Sequence, residues 1–352
     1  MALYLAFKEM WRNRGRFFLI SLVIALITTL VLFIAALAEG LGLGNREYLE
    51  KLNAELVLYQ KDVDLSIPSS RIGRSELNNV RRIPGVQAVG PVGFTSSSII
   101  RDGKEFLDIS LIGVEPGKPG EPLALQGRQL QIRRAKEAII DQNVVVNTGL
   151  RVGDTFTIKT IQGTEKKFYT LTVVGISDGR RYSIQPSIIV PFLTWNEIKA
   201  RATAEVDPQE ELISNILAVK LIDPTSREEM AGRIQEQVSD LQAANLQTAY
   251  ENTPGYGPQQ STLSTQRSFT LLIGILVIGG FFQIQTLQKV AQIGVLKAIG
   301  ASNFTVAIAA MLQIITVTVL GIAIGVLGTL ALSVALTSVT VIVSPYRRSG
   351  HG

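Results

Sequence analysis

Apolar residues collect in three uncharged runs, 17–38, 268–287 and 304–343, separated by a long middle stretch in which apolar and polar positions change over short distances. The first run, as a helix rising about 1.5 Å per residue, is long enough to cross a hydrocarbon core of about 30 Å. The second is similar, with Gln283 and Gln285 near its end, where polar amides sit at an interface or face another helix. The third would run to about 60 Å as one helix, too long for one straight span. It reads as a long projecting helix or as a hairpin reversing near 325–329. Small residues recur in the later runs, at Gly274, Gly279 and Gly280 and again at Gly321, Gly325 and Gly328. Residues of that size let a neighbouring helix approach closely, which makes Gly274, Gly279, Gly321 and Gly325 candidate helix-packing positions.

The middle stretch reads as strands with interspersed helices, hence α+β. Strands are expected at 54–59, 86–92, 97–100, 106–114, 150–158, 168–176, 187–191, 213–221 and 246–249. The stretch 137–147, with its Ala138-Ile-Ile run, is apolar and has no clear period. Leu77, Val80 and Ile83 at spacing three predict a helix over 75–83, with Ser75 as its N-cap and Pro84-Gly85 as its stop. Helices are also expected over 195–203 and 226–244. The charged segment 45–52 prolongs the first apolar helix as a stalk. The clearest linker is 252–258, followed by a polar run, 259–267, that leads into the second apolar helix.

Charge then gives the pattern a direction. Lys8, Arg12, Arg14 and Arg16 precede the first run against the single acid Glu9, which places the N-terminus in the cytoplasm by the positive-inside rule. Residues 1–16 read as an amphipathic helix on the membrane surface. A cleaved signal peptide fits less well: the run is too long, and 39–44 is a poor cleavage site. Arg347 and Arg348 after the third run favour a return to the cytoplasm. The net charge of +5 does not indicate nucleic acid, because the basic residues form no stripe with interleaved aromatics.

Chemistry is sparse. The chain has no cysteine, and its one histidine is His351. Disulfides, thiolate metal sites, cysteine nucleophiles and histidine-based triads are excluded. No phosphate-cradling G-x-x-x-x-G-K-[ST] loop occurs. Thr95 and Ser96–Ser98 have no base beside them in sequence and read as polar loop or strand edge. Asp102, Asp108, Asp141 and Asp154 lie at no metal-ligand spacing; Asp154, after Gly153, sets a turn.

What remains is the interval 288–302 between the second and third runs. Val290, Ile293, Leu296 and Ala298 recur at helical spacing, with Lys289 and Lys297 on the remaining surface. The residues alone leave two readings open: a cytoplasmic loop made basic by topology, or a helix that binds a partner.

The residues Ala291-Gln-Ile-Gly-Val-Leu-Lys-Ala-Ile-Gly-Ala-Ser302 closely resemble the segment after the second span in the FtsX-like, or MacB-like, permeases of ABC transporters. Gln292 stands where that family usually carries an acid, and Lys297 keeps the charge of its usual arginine. Ile83-Pro-Gly-Val-Gln-Ala-Val-Gly-Pro91, Leu111-Ile-Gly-Val-Glu-Pro116, Gly127-Arg-Gln-Leu130, Leu150-Arg-Val-Gly-Asp-Thr155 and Val173-Val-Gly-Ile176 resemble pieces of the family's outer domain. Leu52-Asn-Ala-Glu-Leu-Val-Leu58 resembles the DevC-type branch more than the lipoprotein-releasing branch.

The resemblance implies an α-helical transmembrane protein of the bacterial plasma membrane. A large α+β extracytoplasmic domain, the MacB-like periplasmic core, is inserted between its first and second spans, with a mostly β insertion near 155–215. The implied organisation is a cytoplasmic helix 1–16, a first span and stalk 17–52, an outer domain 53–262, a second span 263–287, a coupling segment 288–302, a third membrane region 303–343 and a tail 344–352. The family has four spans. No fourth apolar run follows residue 343, so either the chain is shortened or 304–343 makes both.

The implied function is that of a permease subunit in an export or mechanotransmission complex, itself not an enzyme and carrying no cofactor. ATP would be bound by a separate ABC ATPase that docks on Lys289, Gln292, Ile293, Gly294, Val295, Leu296, Lys297 and Gly300. The other implied partners are membrane lipid, a second copy or a related permease, and a periplasmic adaptor protein. Two alternatives stand beside this one: a transmembrane regulator of a cell-envelope hydrolase, and a membrane-anchored enzyme, which the missing histidine, cysteine and phosphate loop disfavour.

Overall fold

A computed structural model describes residues 8, 10–202, 212–252, 256–288, 290, 294, 298 and 303–342. The chain divides into a helical unit, Met1–Glu39 with Ser261–Gly352, and a sheet unit, Gly40–Gln260. Helix α1 (Arg14–Glu50) contributes to both.

The sheet unit begins with β1 (Leu56–Gln60), α2 (Arg74–Arg81), β2 (Val86–Arg101) and β3 (Lys104–Val114). The short β4 (Gln126–Gly127) precedes β5 (Glu137–Asp141), α3 (Gln142–Thr148), β6 (Thr155–Gln162), β7 (Glu165–Ser177) and β8 (Ser187–Pro191). Then come α4 (Phe192–Ile198), β9 (Ile216–Leu221), α5 (Arg227–Gln237), β10 (Leu241–Asn245) and α6 (Leu246–Glu251).

The strands form one mixed sheet in the order β10-β1-β9-β2-β3-β8-β5-β7-β4. Strand β6 pairs with both β7 and β2, so β2-β3-β8-β5-β7-β6 close into a ring. The open wing β10-β1-β9 joins the ring through β2. That strand pairs β9 over its first half and β3 and β6 over its second.

Side-chain alternation explains both parts. On the wing, Leu56 and Leu58 of β1 and Leu217 and Val219 of β9 face a core made with Leu77 and Val80 of α2 and Met230 and Ile234 of α5. Their neighbours Val57, Tyr59, Ile216 and Ala218 face a second core that includes Tyr48, Leu49 and Leu52. Both wing faces are covered, so its strands read as continuous apolar runs. In the ring, Ile109 and Leu111, Ala138 and Ile140, Phe156 and Ile158, Leu171 and Val173, and Ile188 and Val190 gather into one cluster with Trp195.

Several local expectations change. The segments 86–92 and 97–100 are one strand, not two. The glycines of this strand are there for close approach: a Cβ at Gly90 would lie 2.0 Å from the Pro119 carbonyl oxygen, and one at Gly93, between the two segments, would lie 2.4 Å from the Trp195 ring. Helix α2 is preceded by Gly73 as its N-cap. Ser75 lies inside the helix, where its hydroxyl donates to Glu76. The stretch 137–147 splits into β5 and α3 because Asp141 caps the helix, accepting from the Val144 amide at 2.7 Å.

The helix expected over 226–244 ends at Gln237, and Leu241–Asn245 pairs with β1. The strand expected at 246–249 is a helix, because Asn245 accepts from the Thr248 amide as its N-cap. The helix expected over 195–203 begins at Phe192 and ends at Ile198.

The helical unit contains the N-terminal part of α1, helix α7 (Tyr256–Gln288) and helix α8 (Asn303–Ile342). Helix α7 begins at Tyr256, inside the expected linker 252–258, and the polar run 259–267 is part of it. Helix α8 continues without reversal through 325–329, which decides between the long helix and the hairpin. Among the described residues, Arg14–Leu37 and Met311–Ser333 are long and apolar enough to cross a membrane.

Candidate functional site

In the helical unit, α1 and α8 meet through small residues. A Cβ on Gly321 would lie 2.7 Å from Ile24 Cβ and 2.9 Å from the Ser21 carbonyl oxygen. One on Gly325 would lie 2.7 Å from Thr28 Cβ and 2.8 Å from the Ala25 oxygen. With no side chain at those two positions the backbones come close enough for Ser21 Oγ to donate to the Val317 carbonyl at 3.3 Å. Thr29 Oγ1 donates likewise to the Gly325 carbonyl at 3.1 Å. Phe17, Ile20, Ile24 and Val317 form the apolar part of the same contact. Gly274 of α7 faces Ile27, whose Cγ2 would be 3.0 Å from a Cβ there, whereas a Cβ on Gly279 would meet none of the described residues within 4 Å.

Of the coupling-segment residues, Gly294 is helical and exposed, and a Cβ there would meet none of the described residues within 4 Å. Lys289, Gln292, Ile293, Val295, Leu296, Lys297 and Gly300 lie outside the described residues.

In the sheet unit, the last turn of α1 is rooted by a polar network. Glu47 accepts from the Arg181 amide at 3.1 Å and pairs with Lys51 Nζ at 3.1 Å. The Lys51 ammonium also donates to the Gly179 carbonyl and lies 3.6 Å from Asp178. Arg180 donates from Nε to Asp178 at 2.7 Å and from Nη1 to the Lys51 carbonyl, satisfying a carbonyl that the helix end leaves without a helical partner. Asp141 accepts from the Arg180 amide at 3.1 Å and from Asn143 at 2.9 Å. Burial raises the Asp141 pKa, and these hydrogen bonds oppose the shift.

Beneath the network, Tyr48 is fully buried. Its ring stands edge-on to Phe94 at 5.3 Å and to Tyr182 at 6.4 Å, and its hydroxyl donates to the Gly120 carbonyl at 3.3 Å. Burial moves its ionisation well above the usual tyrosine range, so it stays a neutral donor. Sequence reading placed a stalk here and missed the root. The one legible sign was the Glu47/Lys51 pair at i,i+4; the partners at 141 and 178–182 are remote in sequence.

The serines considered as nucleophiles are engaged structurally: Ser97 donates to the Lys159 carbonyl at 2.9 Å, Ser98 to Asp108 at 2.8 Å and Ser96 to Gln185 at 3.2 Å. No group of three or more acidic or histidine residues suited to a metal occurs among the described residues.

Residues 17–237 match the MacB-like periplasmic core domain, and residues 268–347 match the FtsX-like permease C-terminal domain. A Staphylococcus haemolyticus protein named hemin transport system permease protein HrtB is 27% identical over 318 residues, covering 90% of this chain and 82% of its own length. A Staphylococcus epidermidis protein of the same name is 24% identical over 323 residues, covering 91% of this chain and 82% of its own. The periplasmic region of MacB from Actinobacillus actinomycetemcomitans, a solved structure, is similar over 58% of this chain and 95% of its own, with 14% identity and a TM-score of 0.39.

Proposed function

The chain belongs to the ABC-type permease family that joins a MacB-like periplasmic core domain to an FtsX-like permease C-terminal domain, and from that premise we propose how it works. An ABC permease is a cell-membrane protein that operates with an ATPase. In the proposed mechanism the ATPase docks on residues 288–302, and its motion passes along the membrane helices to the outer domain. The chain spans the membrane several times with its N-terminus in the cytoplasm, and the outer domain lies between the first and second spans. It works as a homodimer or with a related permease, and an adaptor protein outside the membrane receives the cargo. Hemin, which the relatives' name specifies, is the first cargo to test.

The observation that carries this reading is the engagement of α1 at both ends. Residues 17–29 are gripped by α8, and residues 47–52 are locked into the sheet unit by Tyr48 and the Glu47–Lys51–Arg180 network. A continuous helix fixed at two places passes on a displacement that a flexible linker would absorb.

Two experiments test it. Gly294→Pro, which removes a helical hydrogen bond at a cost of about 3 kcal/mol or more, and Leu296→Asp should each abolish permease-stimulated ATP hydrolysis by the co-purified ATPase while the permease still inserts. Unchanged stimulation rules out docking at 288–302. Because the chain has no cysteine, Ser239→Cys gives a single exposed label site. It should react with an impermeant thiol reagent in intact cells; reaction only after lysis reverses the topology.

A further inference from the structure

The sheet unit contains a cavity of about 200 Å³ that the proposed coupling does not use. The start of α2, the end of β3, the start of α4 and the segment before β9 enclose it. Leu77, Pro91, Phe192, Leu193 and Leu212 make its wall apolar.

Its polar lining is unbalanced. Among the described residues of its wall, Arg81 and Arg133 face one acid, Glu115. Glu115 is already shared: Oε2 accepts from Arg81 Nη2 at 2.8 Å, and Oε1 from Arg133 Nη2 at 2.9 Å. Among the described residues, that carboxylate offsets one of the two positive charges it binds. A guanidinium carries five donors in a planar fork, so Arg81 and Arg133 keep donors for a second anion after bonding Glu115. The carboxylate also holds both guanidinium groups at the cavity, so a ligand need not order them. An apolar recess with a few convergent polar groups is the usual form of a small-ligand site. Guanidinium groups select carboxylate or phosphate oxygens, which they bind bidentately.

We propose that this cavity binds an amphipathic anion, an apolar group bearing one carboxylate or phosphate. The apolar part seats on Leu77, Leu193 and Leu212, and the head group bridges Arg81 and Arg133. The site is independent of the ATPase docking reading.

The test uses the full chain in detergent and the photoreactive carboxylate 4-benzoylbenzoate, with cross-links mapped by mass spectrometry. Labelling should concentrate on the peptides holding Leu77, Leu193 and Leu212, and neutral benzophenone should not reproduce it. Octanoate or octyl phosphate should compete, the more effective one identifying the head group. Octanol and inorganic phosphate should not. Arg133→Gln changes an exposed side chain, 72% accessible, and should lower labelling at least about tenfold, the loss expected for a charge-assisted bond. Leu193→Trp, which fills the recess and leaves every arginine in place, should do the same. Labelling distributed like that of benzophenone, unchanged labelling in both variants, or equal competition by octanol or by inorganic phosphate would each overturn the proposal.

Discussion

The two units of this protein handle apolar surface in opposite ways. In the sheet unit the large side chains are inside: Tyr48, Ile109, Leu111 and Ile139 are fully buried. In the helical unit Leu26, Ile275 and Leu327 are each more than 60% exposed, and the α1–α8 contact buries only a short apolar strip, Phe17, Ile20, Ile24 and Val317, beside Ser21 and the packed Gly321 and Gly325. In water, burying a large apolar side chain stabilises by about 1.5–3 kcal/mol, so the sheet unit folds around its bulk. In lipid that driving force between helices is absent, and close backbone contact with interhelical hydrogen bonds takes its place. The same residue type therefore plays different parts. Glycine permits helix contact at Gly321 and Gly325. At Gly93 and Gly113 it makes room for the Trp195 ring, which would lie 2.4 Å from a Cβ at either position.

The contrast can be tested by substitution, read as thermal unfolding of the full chain. Tyr48→Ala should cost the most, about 3–5 kcal/mol, as for other large buried aromatics. Tyr48→Phe keeps the ring and loses only the bond to Gly120, about 1 kcal/mol. Equal losses would mean that the hydroxyl, not the packing, holds the helix root.

Next is Gly325→Ile, where the new side chain meets Thr28 and the Ala25 carbonyl; overpacking of this kind costs about 1–3 kcal/mol. Gly279→Ala meets none of the described residues and should stay within about 0.5 kcal/mol. Equal losses at 325 and 279 would break the distinction between a packed glycine and an unpacked one.

A smaller effect depends on pH. Burial raises the folded-state pKa of Asp141 above its ordinary 3.8. Its contribution to stability is therefore full below that ordinary value and is lost as pH rises through the folded one. The stability of the unmodified chain minus that of Asp141→Asn should fall as pH increases from the ordinary value; a difference independent of pH contradicts the assignment. A small effect is also expected from Lys51→Ala. Its side chain is 37% exposed, so its ion pairs should contribute under about 1 kcal/mol, and less at high salt.

How much of this was legible depended on the range of the interactions involved. Helix α1, β8 and the helix over α2 follow from local apolar patterning. The error at 226–249 has a definite cause. Leu241–Asn245 carries two alanines and no β-branched residue, so its local preference is not that of a strand; pairing with β1 overrides it. The glycines and serines of β2 look like a break between two strands, and only the Pro119 carbonyl and the Trp195 ring against them explain a continuous one. The helix root could not be read in advance, because Glu47, Asp141 and Arg180 are far apart in the chain and form a network only once the fold brings them together.

By itself the sequence determined the three apolar runs, the absence of histidine- and cysteine-based chemistry, the family resemblance and the mixed α and β character of the middle stretch. These follow from composition, from periods of a few residues and from one short motif. Tertiary structure decided the closure of the ring through β6, which glycines are packed, the root of α1 and the arginine-lined cavity. Each of those depends on a contact between residues distant along the chain, and local propensity carries no information about which distant residues will meet.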